Sequence, residues 1–335
     1  MFASKKSSLI KQLWRKKIFN QPNETQCQVE TSAEGEWKNH LHRILKRLKE
    51  KELESLLVAV ESKDGEQTSC VYVPRDQQDR KNDAATLCCR IWRWPEADLS
   101  LKRLSVCENR QSEECINPYH WSRLLVIETP PPPYPISIKD QAEGFTPVAS
   151  TETGIPRLTA DSVSADGKQR WCQIAYWEHR ERVGSLFGGY DDNINIFQDL
   201  PHGSGMCLKV IQKETRNDSV KRTRDKIGHG ITLTKNEDEI WVYNRSSSPI
   251  FVCSPTLIMP DSRPFSVHRI PSGFSCKIFD FEQMEHLRQT LDSRNWDGPM
   301  ELSRLSLSFA KGWGKNYKRQ ANFSCPCWLE VYINR

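Results

Sequence analysis

Several things are missing from this chain of 335 residues. No run approaches the ~18 consecutive apolar residues that a membrane-spanning helix needs. The opening "MFASKKSSLIKQLWRKKIF" scatters its apolar residues among lysines and no hydrophobic stretch follows, so it does not read as a secretory signal peptide. No G-x-S-x-G, P-loop, H-E-x-x-H or kinase signature occurs, which closes the commonest routes to an enzyme. There is no internal repeat. Charge of one sign is not in great excess: 48 Lys and Arg against 43 Asp and Glu leave a formal net charge of +5. That balance tolerates anionic partners without demanding one. The expectation is an intracellular chain, in a compartment where thiols stay reduced.

Cysteine and aromatic residues, by contrast, are plentiful. A hydrophobic content of 37% with 11 Trp and 12 Phe supports real cores, and the length suits two domains. Twelve Cys under reducing conditions point to metal as the structural use of any cluster.

Residues 37–60, "WKNHLHRILKRLKEKELESLLVAV", follow a helical pattern. Leu41, Ile44, Leu45 and Leu48 form one apolar stripe; Leu53, Leu56, Leu57 and Val60 form a second, and "KEKE" between them predicts a bend. The basic segment Lys5, Lys6, Lys11, Arg15, Lys16 and Lys17 surrounds Leu9, Ile10, Leu13 and Trp14. It reads either as a membrane- or import-receptor-binding helix or as the first helix of the domain that follows. From Thr68 to Leu125, short runs such as "CVYVP", "LCCRIWRW" and "LLVI" read as strands. Residues 128–170 form a linker rich in Pro, Ser and Thr. From Trp171, eight apolar runs from "WCQIAYW" to "CWLEVYI" predict an antiparallel sandwich, with helices at "SVKRTRDKI" and "FEQMEHLRQTLD".

Cys107, Cys115 and His120 lie at Cys-x7-Cys-x4-His spacing, and Cys70 is the best fourth candidate. Three thiolates and an imidazole complete a tetrahedral zinc shell with no open position, so the one Zn2+ would be structural. Cys88 and Cys89 compete for the fourth position, but a strand-like apolar run suits burial better. Cys325 and Cys327, in "CPC" before a strand, also read as buried. Asn117 beside His120 could suggest a metal nuclease, yet a closed shell without a partnered general base argues against an enzyme.

These residues carry a resemblance. "CRIWRWP" and "VC…EECINPYHW" resemble the MH1 domain of Smad proteins. "WCQIAYWEHRERVG", "DLPHGSGMCL", "KIGHGITL", "VYNRSSSPIFV" and "KGWGKNYKRQ…CPCWLEV" resemble their MH2 domain. The opening segment, the "PPPPY" run and "SCPCWLEVYINR" resemble the inhibitory branch. The resemblance implies an α+β zinc-containing MH1-like domain over 1–127, a linker over 128–170, and over 171–335 an all-β sandwich MH2-like domain capped by helices. It also implies an antagonist of TGF-β/BMP-type signalling, in nucleus and cytoplasm, whose partners are activated type I receptor serine/threonine kinases and other Smads. The chain carries no serine after Ser324, unlike receptor-activated Smads with their phosphorylated serine tail.

By motif position, the receptor- and phosphoserine-binding candidates are Arg222 and Lys226, with Lys311, Gly312, Trp313, Gly314, Lys315, Tyr317, Lys318 and Arg319 in the loop 311–320. Phosphate recognition needs fixed cationic donors. Pro131, Pro132, Pro133 and Tyr134 form Pro-Pro-x-Tyr, a preformed polyproline II ligand for WW domains, and the resemblance implies HECT-type ubiquitin ligases as the readers. The alternative within the family is a DNA-binding Smad transcription factor. Its DNA-reading hairpin would fall in "VYVPRDQQDRKNDAATLC", where Asp76, Asp79 and Asp83 offset Arg75, Arg80 and Lys81. Acids in that position repel phosphate. At fixed salt, affinity for a GTCT-type duplex should equal that for scrambled DNA within about twofold; a specificity ratio in the ~10³ range of true operators would support the transcription-factor alternative.

Overall fold

A computed structural model describes residues 5–18, 32–63, 68–75, 83–95, 100–127, 167–201, 203–257, 266–293 and 301–334. Arg80 and Lys81 of the hairpin segment and Pro131, Pro132, Pro133 and Tyr134 of the linker lie outside the described residues.

The basic opening segment forms α1 (Lys5–Arg15) and buries Leu9, Ile10 and Leu13. It packs with α2 (Ser32–Arg47) and α3 (Glu50–Ser62), whose break at Leu48 and Lys49 is the bend foreseen at "KEKE". The two apolar stripes of α2 and α3 meet α1 in one core. Lys5, Lys16 and Lys17 pair with Glu54, Glu61 and Glu34. With its apolar face covered and these cations engaged, α1 is the first helix of the domain. No helix among the described residues is long and apolar enough to cross a membrane.

β1 (Tyr72–Pro74) is a strand, as expected, but "LCCRIWRW" is not: α4 (Ala84–Trp92) is a helix that buries Ala85, Leu87, Cys88, Cys89, Ile91 and Trp92. A short run buried on nearly every side carries no period to separate helix from strand. β2 (Leu101–Arg103), β3 (Glu113–Cys115) and β4 (Trp121–Leu124) complete an α+β N-terminal region, with β1 antiparallel to β3. β4 ends at Leu124, so only the first residue of "LLVI" is strand.

The C-terminal region is β-rich. Its elements are β5 (Cys172–Glu178), β6 (Glu181–Gly189), β7 (Asn193–Phe197), β8 (Gly205–Cys207), α5 (Leu208–Ile211), α6 (Asp218–Ile227), β9 (Ile231–Lys235), β10 (Glu239–Asn244), β11 (Ile250–Cys253), β12 (His268–Ile270), β13 (Phe274–Asp280), α7 (Phe281–Ser293), β14 (Arg304–Phe309) and β15 (Trp328–Ile333). One sheet runs β12-β11-β14-β15-β5-β6; the other runs β2-β4-β13-β10-β9-β7-β8 and so includes two N-terminal strands. Pairing is antiparallel except for β7 with β8 and β4 with β13. Alternating strand residues such as Ile174, Tyr176, Leu233, Val242, Leu307 and Leu329 fill the space between the sheets.

Gly230, between α6 and β9, fixes how the helix leads into the sheet. Its φ is +70°, and an added Cβ would lie 1.9 Å from the Ile196 carbonyl oxygen. Backbone cannot yield there. Gly230→Ala should therefore lower unfolding stability by about 2 kcal/mol or more in urea titration; an unchanged midpoint would mean that this turn is not constrained.

Candidate functional site

Four ligand-type side chains converge from separate elements. Cys70 precedes β1, Cys107 ends a turn whose amide bonds to Leu104 O at 3.0 Å, Cys115 closes β3, and His120 ends the 3-10 turn Pro118–His120. Their ligand atoms all lie within 4.8 Å of one another. Cys70 Sγ is 3.9 Å from Cys107 Sγ and 3.3 Å from His120 Nδ1, and Cys115 Sγ is 3.6 Å from the same nitrogen. A tetrahedral zinc ion with ordinary bond lengths would separate sulfurs by about 3.8 Å and sulfur from nitrogen by about 3.6 Å. The residues present fit one such metal ion.

The surroundings orient these ligands. His120 Nε2 donates to the Thr68 carbonyl at 3.0 Å, leaving Nδ1 as the lone-pair nitrogen among the sulfurs. Asn117 is fully buried; its amide donates to Thr68 Oγ1 and Ser69 O and its oxygen accepts from Tyr119 N. Asn117 thus shapes the turn that presents His120. The Cys107 and Cys115 thiols compete for a proton: Cys107 and the His120 ring hold Cys115 well below the ordinary thiol range, and Cys107 is pushed up. Cys88, Cys89, Cys325 and Cys327 are all fully buried in cores, outside the cluster. Thr68 has no signal in the sequence, because its contribution is a backbone carbonyl.

The cationic candidates fall on two elements. In α6, Val220, Thr223 and Ile227 face inward. Arg224, on the same side, forms a fork on Glu178 of β5: Nε to Oε1 at 2.8 Å and Nη2 to Oε2 at 2.7 Å. Arg222 and Lys226 each sit two residues away, about 200° round the helix, and are exposed. Among the described residues neither has a carboxylate partner. Lys221, which sequence reasoning passed over, is exposed beside them.

The loop 311–320 is seated on the outer face of the six-stranded sheet. Trp313 is buried there, and Tyr317 meets Phe251 edge-on with centroids 5.3 Å apart. Gly312 lets the backbone pass: a Cβ would be 2.7 Å from the Tyr317 ring and 2.9 Å from Phe251. Gly314 has φ +89°, and its amide donates to Arg319 O at 2.7 Å. Trp313 and Tyr317 therefore hold the loop, whereas Lys315 and Lys318 are exposed and Lys311 and Arg319 half-buried.

Both elements rest on the segment Cys325–Trp328. Cys325 Sγ donates to Lys311 O at 3.4 Å, and Cys327 Sγ contacts Val220 O of α6 at 3.9 Å. The His179 turn links them: its amide donates to Cys325 O, its carbonyl accepts from Trp328 Nε1, and its ring meets Ser219. Arg180, another cation that sequence reasoning missed, lies over Phe323 at 4.7 Å. No hydrogen bond joins the α6 and loop cations to each other among the described residues; they share a scaffold. Because Lys cannot reproduce the fork, Arg224→Lys should lower stability by about 1–2 kcal/mol in chemical denaturation, and stability equal to the parent would show that the fork does not anchor α6.

Comparison with known proteins follows the same division. The MH1 domain family matches residues 37–125 and the MH2 domain family residues 169–334. The chain is 41% identical over 328 residues to Mothers against decapentaplegic homolog 6 of Gallus gallus, covering 90% of this chain and 76% of that protein. It is 39% identical over 337 residues to Mothers against decapentaplegic homolog 7 of Mus musculus and 40% identical to its Homo sapiens counterpart, covering 90% of this chain and 79% of each. Among solved structures, the Interferon Regulatory Factor 9 IAD domain aligns with 49% of this chain and 82% of its own at 14% identity and a TM-score of 0.36, too low to bear on the fold. The chain belongs to the Smad family, a family of signalling and transcription regulators, and within it to the inhibitory branch of antagonistic Smads.

Proposed function

We propose that this antagonistic Smad acts by occupying activated type I receptor serine/threonine kinases of the TGF-β superfamily. Arg222 and Lys226 of α6, with Lys311, Lys315, Lys318 and Arg319 of the loop, would face the phosphorylated partner and block activation of receptor-regulated Smads. One observation carries this: among the described residues the exposed α6 cations Arg222 and Lys226 have no carboxylate partner, and α6 stands on the same Cys325–Trp328 segment as the basic loop. A helix and a loop already seated on one scaffold need no backbone ordering to engage phosphate, and charge-assisted bonds of this kind are the strong ones. Such binding is salt-sensitive.

The same reading includes other Smads as partners and residence in both nucleus and cytoplasm. Pro131, Pro132, Pro133 and Tyr134 would recruit HECT ubiquitin ligases through their WW domains. The cluster Cys70, Cys107, Cys115 and His120 would hold one structural Zn2+, whose binding can contribute about 10 kcal/mol to folding.

Two measurements test the assignment. Charge reversal of Lys311 and Arg319 together should weaken capture of phosphorylated type I receptor kinase by at least ~100-fold, about 2–3 kcal/mol for lost charge-assisted bonds; undiminished pulldown would move the site elsewhere. Tyr134→Ala should abolish binding of an isolated WW domain to the full chain, and retained binding would remove the linker from the mechanism.

A further inference from the structure

β4 enters the C-terminal sheet beside β13 in parallel, through only two residue pairs, Arg123 with Phe274 and Leu124 with Ser275. Arg123 N donates to Gly273 O at 2.9 Å and Leu125 N to Ser275 O at 2.8 Å. The Ser122 hydroxyl donates to Ser275 Oγ at 2.7 Å, both side chains being buried. Beyond β4, Leu125 and Ile127 pack against the core of the sandwich. Without these strands β13 would be a sheet edge with unpaired backbone groups. So short a pairing needs support from its flanks.

That support runs to the metal cluster. His120, one of the four ligand residues, directly precedes β4, and Trp121 Nε1 donates to the carbonyl of Cys115, another ligand residue, at 2.9 Å. Arg93 spans the seam: Nη1 donates to Pro118 O at 2.9 Å and Trp121 O at 2.7 Å, while Nη2 donates to the Tyr243 hydroxyl of β10 at 3.1 Å. Lys102 of β2 lies 3.6 Å over the ring of Trp241, which like Tyr243 belongs to β10. The turn that offers His120 to a metal is thus tied by one guanidinium to the C-terminal sheet.

We propose that the Cys70, Cys107, Cys115 and His120 centre governs docking of the N-terminal region onto β13, so that metal binding closes the interdomain seam and metal loss opens it. The turn 118–120 is the coupling element: held by the metal it aims β4 along β13, and released it withdraws the Arg93 bridge. The inference rests on the cluster holding a metal ion, which metal content of the purified full chain tests by itself, one equivalent being expected.

Hydrogen exchange on the full chain tests the coupling. Removing metal with a zinc chelator should raise exchange about tenfold in peptides covering 122–125 and, in the C-terminal region, 239–244 and 273–276. Linkage is reciprocal, so a change made only in the C-terminal region must be felt by the metal. The double variant Trp241→Ala with Tyr243→Phe should open the seam and weaken metal affinity at least fivefold, while exchange of the β14–β15 peptides stays at the parent level. Three results would overturn the proposal: chelation that accelerates exchange only within 68–124; a double variant with an opened seam and metal affinity within twofold of the parent; or a double variant whose seam exchange is unchanged. If the chain carries no metal, the metal assignment itself fails, and this is seen before any exchange is measured.

Discussion

The fork between Arg224 and Glu178 decides which face of α6 meets solvent. A planar guanidinium on a carboxylate, with both side chains mostly buried, fixes the helix about its own axis as well as against β5. Tyr176 donates to the same carboxylate, so Glu178 holds its position through two partners. From that constraint the outward aim of Arg222 and Lys226 follows by helix geometry. A helix free to roll would offer the same charges with no fixed direction.

The N-terminal region solves a different problem. Its strands are only three or four residues long, and most of its connections cross turns. Three thiols and an imidazole brought within 4.8 Å leave lone pairs facing one another, an arrangement that a cation relieves. The cluster joins the segment before β1 to the segment before β4, and from there the chain passes into the sheet of the C-terminal region. Ligand cluster, turn and shared sheet are thus contiguous along the chain.

Much of this was legible in the sequence, and the exceptions have physical causes. Cys107, Cys115 and His120 follow from residue type and proximity, Cys70 from its place before an extended run, and eight of the eleven C-terminal strands from apolar runs set between turn residues. The stripes of α2 and α3, with their break, follow from helical period. α4 was misjudged because its apolar run is buried nearly all round, although Asp83 followed by Ala84 and Ala85 is a helix-start signal. β6 lacks an apolar run because "ERVGSLFGG" buries only Val183 and Gly189, and β8 and β12 are three residues long, too short to show a period. The β4–β13 pairing has no sequence signal: a parallel match of two residue pairs between distant segments is decided by tertiary contacts. Thr68 orients His120 through its backbone, which any residue could offer. Trp313, buried, and Tyr317, partly buried, seat the loop on the sheet, a packing role that residue type alone does not separate from a binding one.

Affinity of the full chain for a type I receptor kinase domain in its phosphorylated and unphosphorylated forms, compared at two salt concentrations, tests the central claim most directly. A cationic face with fixed direction predicts binding to the phosphorylated form at least ~100-fold tighter, with that advantage shrinking as salt rises. Equal affinity for both forms, or a preference unaffected by salt, would contradict it.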